Sequence, residues 1–110
     1  MFPKTYKLSP NDFRRVYDKG TKVRGEFGML IVLKDSVLDH YRIGFVVNNK
    51  VGNAVQRHLL TRRLKSLFRR YDKSIPLPPM LFEYVAFKQS SKYELLEKEF
   101  INQLNTVSKK

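Results

Sequence analysis

Apolar residues recur along this chain in two rhythms, and the switches between them divide it into elements. Between Leu8 and Gly20, Phe13, Val16 and Tyr17 fall at spacings of three and one, which is a single face of a helix. Ser9 suits the N-cap of that helix, Pro10 its first position, and Asp12 the place of a capping carboxylate. Gly20 is a natural stop. Glu26 to Asp35 is an apolar run of strand length, and Tyr41 to Asn49 is a second, rich in Val and Ile. The short connection between them predicts an antiparallel hairpin. Thr21 to Arg24 could add a short edge strand before it.

From Asn53 to about Arg70 the helical period returns. Asn53 is a good N-cap, and Leu60, Leu64, Leu67, Phe68 and Tyr71 form one stripe that must bury against a sheet. His58, Arg62, Lys65 and Arg69 line up at four, three and four on a different side, facing solvent or a ligand. Ser74 to Met80 holds Pro76, Pro78 and Pro79 and reads as a stiff linker. Leu81 to Phe87 is a strand. A last helix follows, with a capping box at Ser91 and Glu94 and a stripe of Tyr93, Leu96, Phe100, Leu104 and Val107. Ser108 to Lys110 is a basic tail expected to fray. There is no internal repeat. The pattern predicts one α+β domain over residues 1–110, a two-layer sandwich of helices on a small sheet.

Charge changes the picture most. Lys and Arg number 22 against 10 Asp and Glu, a formal net charge of +12. Such a balance in one domain calls for a polyanionic partner. The charge is also clustered. Lys50, Arg57, Arg62, Arg63, Lys65, Arg69 and Arg70 crowd the segment 50–70, which contains no acid. The absence of Cys excludes disulfides and Cys-based zinc sites, and His40 and His58 are too few imidazoles for a transition-metal site. No run approaches the about 18 apolar residues of a membrane span, and the N-terminus has no secretory pattern, so a cytoplasmic protein is expected.

The chemistry legible here is binding. There is no nucleophile elbow, zincin or Walker motif, and no two acids sit where they would obviously share a proton or a metal. Lys50-Val51-Gly52-Asn53-Ala54 places a glycine and a full positive charge at a helix N-terminus, which suits phosphate; an ordinary strand-to-helix turn is the alternative. A solvated helix face would mix signs for pairing, whereas this one repels itself until an anion arrives. Arg on several sides, with only Gln56 as an amide for base edges, favours backbone and shape recognition of structured RNA over reading of a DNA groove. Phe13 and Tyr17, beside Arg14 and Arg15, could stack single-stranded bases or could be core residues of an amphipathic helix. A membrane-surface helix does not fit, because the apolar stripe of the Arg helix is needed for the core.

At these residues the chain resembles the bacterial ribonuclease P protein family. The family signature is a strand ending in Lys, then a V/I-G-N-A-V turn, then an Arg-Asn-rich helix called the RNR motif. It is matched here by Lys50, Val51, Gly52, Asn53, Ala54, Val55, Arg57, Arg62 and Phe68. The opening helix "DFRRVYDKG" is similar as well. Departures are His58 where the family usually has Asn, Thr61 for Lys, Lys65 for Arg, Arg63 at a commonly apolar or variable position, and Lys88 for Arg after the last strand.

The resemblance implies an αβββαβα order with a small mixed sheet, like the second domain of ribosomal protein S5, and a left-handed crossover around the RNR helix. It implies a subunit of the ribonucleoprotein that removes the 5′ leader of precursor tRNA. There the RNA subunit is the catalyst and holds Mg²⁺, and the protein contributes no catalytic residue. It implies RNA contacts from Lys50, Gly52, Asn53, Arg57, His58, Arg62, Arg63, Lys65 and Arg69. A leader cleft is expected from Phe13, Tyr17, Arg14 and Arg24, and a monomer when the protein is free of RNA. A ribosomal-protein-like structural RNA binder is the alternative; it would have no need of an aromatic cleft.

Overall fold

The computed structural model describes residues 7–34, 40–74, 79–89 and 92–108. Its elements are α1 (Pro10–Lys19), β1 (Thr21–Arg24), β2 (Gly28–Lys34), β3 (Arg42–Val46), a 3-10 turn (Asn49–Val51), α2 (Ala54–Ser74), β4 (Met80–Ala86) and α3 (Tyr93–Ser108). This is the expected αβββαβα order, an α+β domain with a mixed four-stranded sheet. Of the remaining expectations, Ser91 of the last capping box, residues 75–78 of the Pro-rich linker and residues 109–110 of the tail lie outside the described residues.

Local signals set the helix starts. Ser9 Oγ accepts from the Asp12 amide and the Asp12 carboxylate accepts from the Ser9 amide, with Pro10 at the first turn. Gly20 ends α1 in an extended conformation. Glycine is required there because a Cβ would strike the Val16 carbonyl and β2.

The predicted hairpin between the second and third strands does not form. The sheet order is β1-β2-β4-β3, with β4 antiparallel to β2 and parallel to β3. The physical reason lies in β4 itself. "MLFEYVA" is buried on both faces from Met80 to Tyr84, so it takes a central place with a strand on each side. The short β2–β3 connection therefore joins strands that are not neighbours.

The two faces of the sheet pack differently. Against one, α2 and α3 bury Leu60, Leu64, Leu67, Phe68, Phe100 and Leu104 on Leu30, Phe82 and Tyr84. Edge-to-face rings lock this layer: Tyr41 to Phe68 at 5.1 Å, Phe68 to Phe82 at 5.7 Å and Tyr84 to Phe100 at 4.9 Å. All five residues of the α2 stripe read from the sequence are buried. Against the other face, among the described residues, lies α1, whose Val16 packs with Leu8, Met29, Ile31 and Leu81. Phe13, Leu33, Val85 and Phe87 are only partly covered there.

The middle of α3 also clamps the β1–β2 turn. The Glu99 carboxylate accepts from the amides of Glu26 (2.7 Å) and Phe27 (2.9 Å). The Gln103 amide donates to the carbonyls of Val23 (2.9 Å) and Gly28 (3.0 Å).

Candidate nucleic-acid interface

The loop from β3 into α2 is built from short polar contacts. Asn48 Oδ1 accepts from the Lys50 amide at 3.0 Å, and buried Val51 anchors the 3-10 turn. Asn53 then caps α2 as its residue type predicted, with a partner the sequence reading did not assign. Gln56 donates its amide to Asn53 Oδ1 and returns its Oε1 to the Asn53 amide, both at 2.9 Å. A Cβ on Gly52 would meet the Gln56 side chain, so the glycine makes room for this reciprocal cap. Gln56 is thereby committed to the fold. Its carbonyl also accepts from Gln89 at 3.1 Å.

The predicted cations divide into two groups. Arg57 folds back, donating to the Gly52 carbonyl at 2.8 Å, and Thr61 Oγ1 donates to the Arg57 carbonyl at 2.9 Å. The Arg63 guanidinium lies 5.3 Å from the Tyr93 ring centroid of α3. These two arginines brace the helix against its own surroundings. His58, Arg62, Lys65 and Arg69 come together as expected, with Ser66, Arg70 and Lys73, along an open depression of about 560 Å³. Lys73 would have been found by carrying the same stripe through one further turn, and Ser66 by taking the i+4 neighbour of Arg62 as well as the i+3 one. Arg70 also pairs with Glu97 of α3 at 2.7 Å. Lys50, Gly52 and Asn53 lie in the turn before α2 and do not line the depression.

Val55 and Leu59 are apolar and exposed on this helix, at 77% and 45%. The apolar stripe from Leu60 gave no sign of them, because they lie off its face.

On the open face of the sheet, Phe13 of α1 sets its ring over Gly44 of β3; a Cβ at Gly44 would run into it. A hollow of about 200 Å³ follows this edge, lined by Lys7, Leu8, Phe13, Ile43, Gly44, Phe45, Thr61 and Lys65. It is where the two predicted patches meet, since Phe13 belongs to the expected cleft and Lys65 to the basic helix. Tyr17 is 49% exposed, with Lys22 Nζ 5.0 Å over its ring and donating to its carbonyl at 2.7 Å. Of the three α1 residues sharing a face, only Val16 is fully buried. Arg24 rests on the Phe87 ring at 4.7 Å, and Arg14 is exposed on α1. Of the four expected cleft residues only Phe13 lines the hollow; Tyr17, Arg14 and Arg24 do not.

Two residues of this face were missed. Phe87 extends the partly covered apolar floor beyond α1. Glu83 is a buried acid in the middle of β4 whose carboxyl is pushed up to about 7 by burial, against the pull of Lys22. A lone acid inside an otherwise apolar strand was the available signal. Among the described residues, no three His, Cys, Asp or Glu side chains converge where they could hold a metal ion, and no helix is long and apolar enough to cross a membrane.

The comparisons with known proteins agree on one family. The family model for ribonuclease P matches residues 2–109. The ribonuclease P protein component of Syntrophomonas wolfei is 34% identical over 64 residues, 58% of this chain and 53% of that protein. That of Staphylococcus aureus is 32% identical over 76 residues, 68% of this chain and 65% of that protein. The matched segments thus span between half and two thirds of these relatives. The solved RNase P protein of Staphylococcus aureus superposes with a TM-score of 0.84 at 22% identity, over 94% of this chain and 96% of that one, and so shares the fold. Together with the match along nearly the whole sequence, this places the chain in the ribonuclease P protein family.

Proposed function

We propose that this chain is the protein subunit of ribonuclease P, binding the enzyme's RNA and the 5′ leader of precursor tRNA during removal of that leader. The observation that carries the reading is the continuity of two surfaces. The basic groove of α2 runs through Lys65 into the aromatic hollow at the β3 edge, so one face can hold structured RNA beside a single strand. The groove brings phosphate-binding side chains and no acid of its own, and Arg suits paired phosphate oxygens. Phe13 and Tyr17 offer ring faces on which bases can stack without regard to sequence.

The division of labour is the one the family implies. On this reading Mg²⁺ belongs to the RNA subunit, where it would supply the hydrolytic chemistry. The protein neutralises phosphates, orients the strand and raises affinity for leader-bearing substrate. This reading takes the free protein as a cytoplasmic monomer.

The test is reconstitution. The purified chain with a bacterial ribonuclease P RNA at low Mg²⁺ is expected to accelerate precursor tRNA cleavage and to favour precursor over mature tRNA. Binding should weaken by about three powers of ten between 50 and 200 mM salt, as expected when several phosphates are neutralised. Cleavage and precursor affinity unchanged by the protein would overturn the reading. Tight RNA binding without preference for the leader would instead indicate a purely structural RNA binder.

A further inference from the structure

The open face of the sheet holds one group that strand binding, as read above, does not use. Glu83 stands between Ile31 of β2 and Gly44 of β3 in the sheet register, on the face that α1 crosses. It is 3% exposed, and its Oε1 is buried without a hydrogen-bond partner. A carboxylate with one oxygen cut off from both solvent and donors is costly to ionise, so the neutral acid is favoured.

The row continues across Ile31 to Lys22 of β1. Lys22 is committed elsewhere, to the carbonyl and ring of Tyr17. Also charged on this face are Arg24 of β1, stacked on the Phe87 ring, and Arg42 of β3, joined to Asp12 of α1 at 3.3 Å, while α1 itself carries Arg14, Asp18, Lys19 and Arg15, the last joined to Asp12 at 3.4 Å. From β2 only Met29, Ile31 and Leu33 reach this face. Lys22 is therefore the cation that an ionised Glu83 would draw upon, and its charge acts on that carboxyl.

We propose that Glu83 links strand binding to proton uptake: a phosphate-bearing single strand along Tyr17 and Lys22 favours the neutral carboxyl, so strand and proton bind together. This rests on the reading of the cleft as a single-strand site. Ionised Glu83 opposes the strand twice, by adding negative charge beneath it and by drawing Lys22 away from Tyr17. A group that holds its proton more tightly in the complex makes affinity fall as pH rises. With the free carboxyl titrating near 7, leader affinity is full below that pH and declines above it, by at most about tenfold per unit.

The experiment compares precursor tRNA with mature tRNA on the reconstituted holoenzyme at pH 6, 7 and 8, for the native chain and Glu83→Gln. Taking the ratio of the two affinities cancels charge changes on α2, which both RNAs share. The expected result is a precursor preference that drops about fivefold from pH 6 to pH 8 in the native protein and stays flat in E83Q. A preference that is present but independent of pH in the native protein overturns the role of Glu83 and leaves the cleft standing. A preference absent at every pH overturns both. Should E83Q fail to fold, a carbon-13 titration of the Glu83 carboxyl in the native protein decides. A midpoint near 7 that rises on adding precursor tRNA upholds the linkage, and a midpoint below about 5 or one that RNA does not move overturns it.

Discussion

The two faces of the sheet are made from alternate residues of the same strands, yet they serve opposite ends. The α2/α3 face is sealed by interlocked rings on Phe82 and Tyr84. The α1 face, among the described residues, carries one ten-residue helix, leaves Phe13, Val85 and Phe87 partly uncovered, and buries an acid with one carboxyl oxygen unpaired. Stability is concentrated where packing is closed. Binding surface is left where packing is incomplete, as a site for an external strand requires.

Three variants test that division, in decreasing order of effect. Phe68→Ala empties a fully buried ring site on the sealed face and should cost about 3–5 kcal/mol of stability in a denaturant melt. Phe13→Ala with Tyr17→Ala on the open face should leave a folded protein. Affinity for leader-bearing tRNA should fall by about 2–3 kcal/mol, with mature tRNA spared. Equal losses for both RNAs, or unfolding, would return these aromatics to the core.

The third concerns Glu83 and the pH dependence of stability. Its folded carboxyl titrates near 7, above the ordinary value of 4.5, so between those values the folded state holds more proton than the unfolded state. Stability contributed by the neutral acid is thus full below 4.5 and is lost as pH rises through 7. The native protein should lose about 1–2 kcal/mol relative to Glu83→Gln between pH 5 and pH 8. Parallel pH profiles in urea melts would remove the distinction between the faces at this position.

What the sequence disclosed follows the range of each interaction. Contacts within a turn or two were legible: the Ser9 cap, the Asn53 cap and the five-residue apolar stripe of α2 all stand where period and residue type placed them. Strand order was not, because β2 pairs with a strand some fifty residues away and no local signal ranks that against a nearby hairpin. The hand of the connection through α2 is likewise carried by neither rhythm. In the site, the sequence gathered His58, Arg62, Lys65 and Arg69 correctly, because helical spacing alone brings them together. It had no means of seeing that Arg57 and Arg63 are held by Gly52 and Tyr93, since those contacts depend on a turn geometry and a helix–helix approach. The meeting of Phe13 with Lys65 depends on the parallel placement of β3 at the sheet edge and was equally out of reach.

The central position of β4 has a consequence for how the molecule comes into being. On a growing chain, α1, β1, β2, β3 and the whole of α2 are made before the strand that joins them. Until Met80–Ala86 emerges, only β1 and β2 can pair, and the apolar stripe of the basic helix has no sheet to cover. Closure of the α3 clamp on the β1–β2 turn waits longer still, for Glu99 and Gln103. Folding of this small domain is therefore a late event in synthesis, completed from the C-terminal end, and a chain cut short of α3 should remain open.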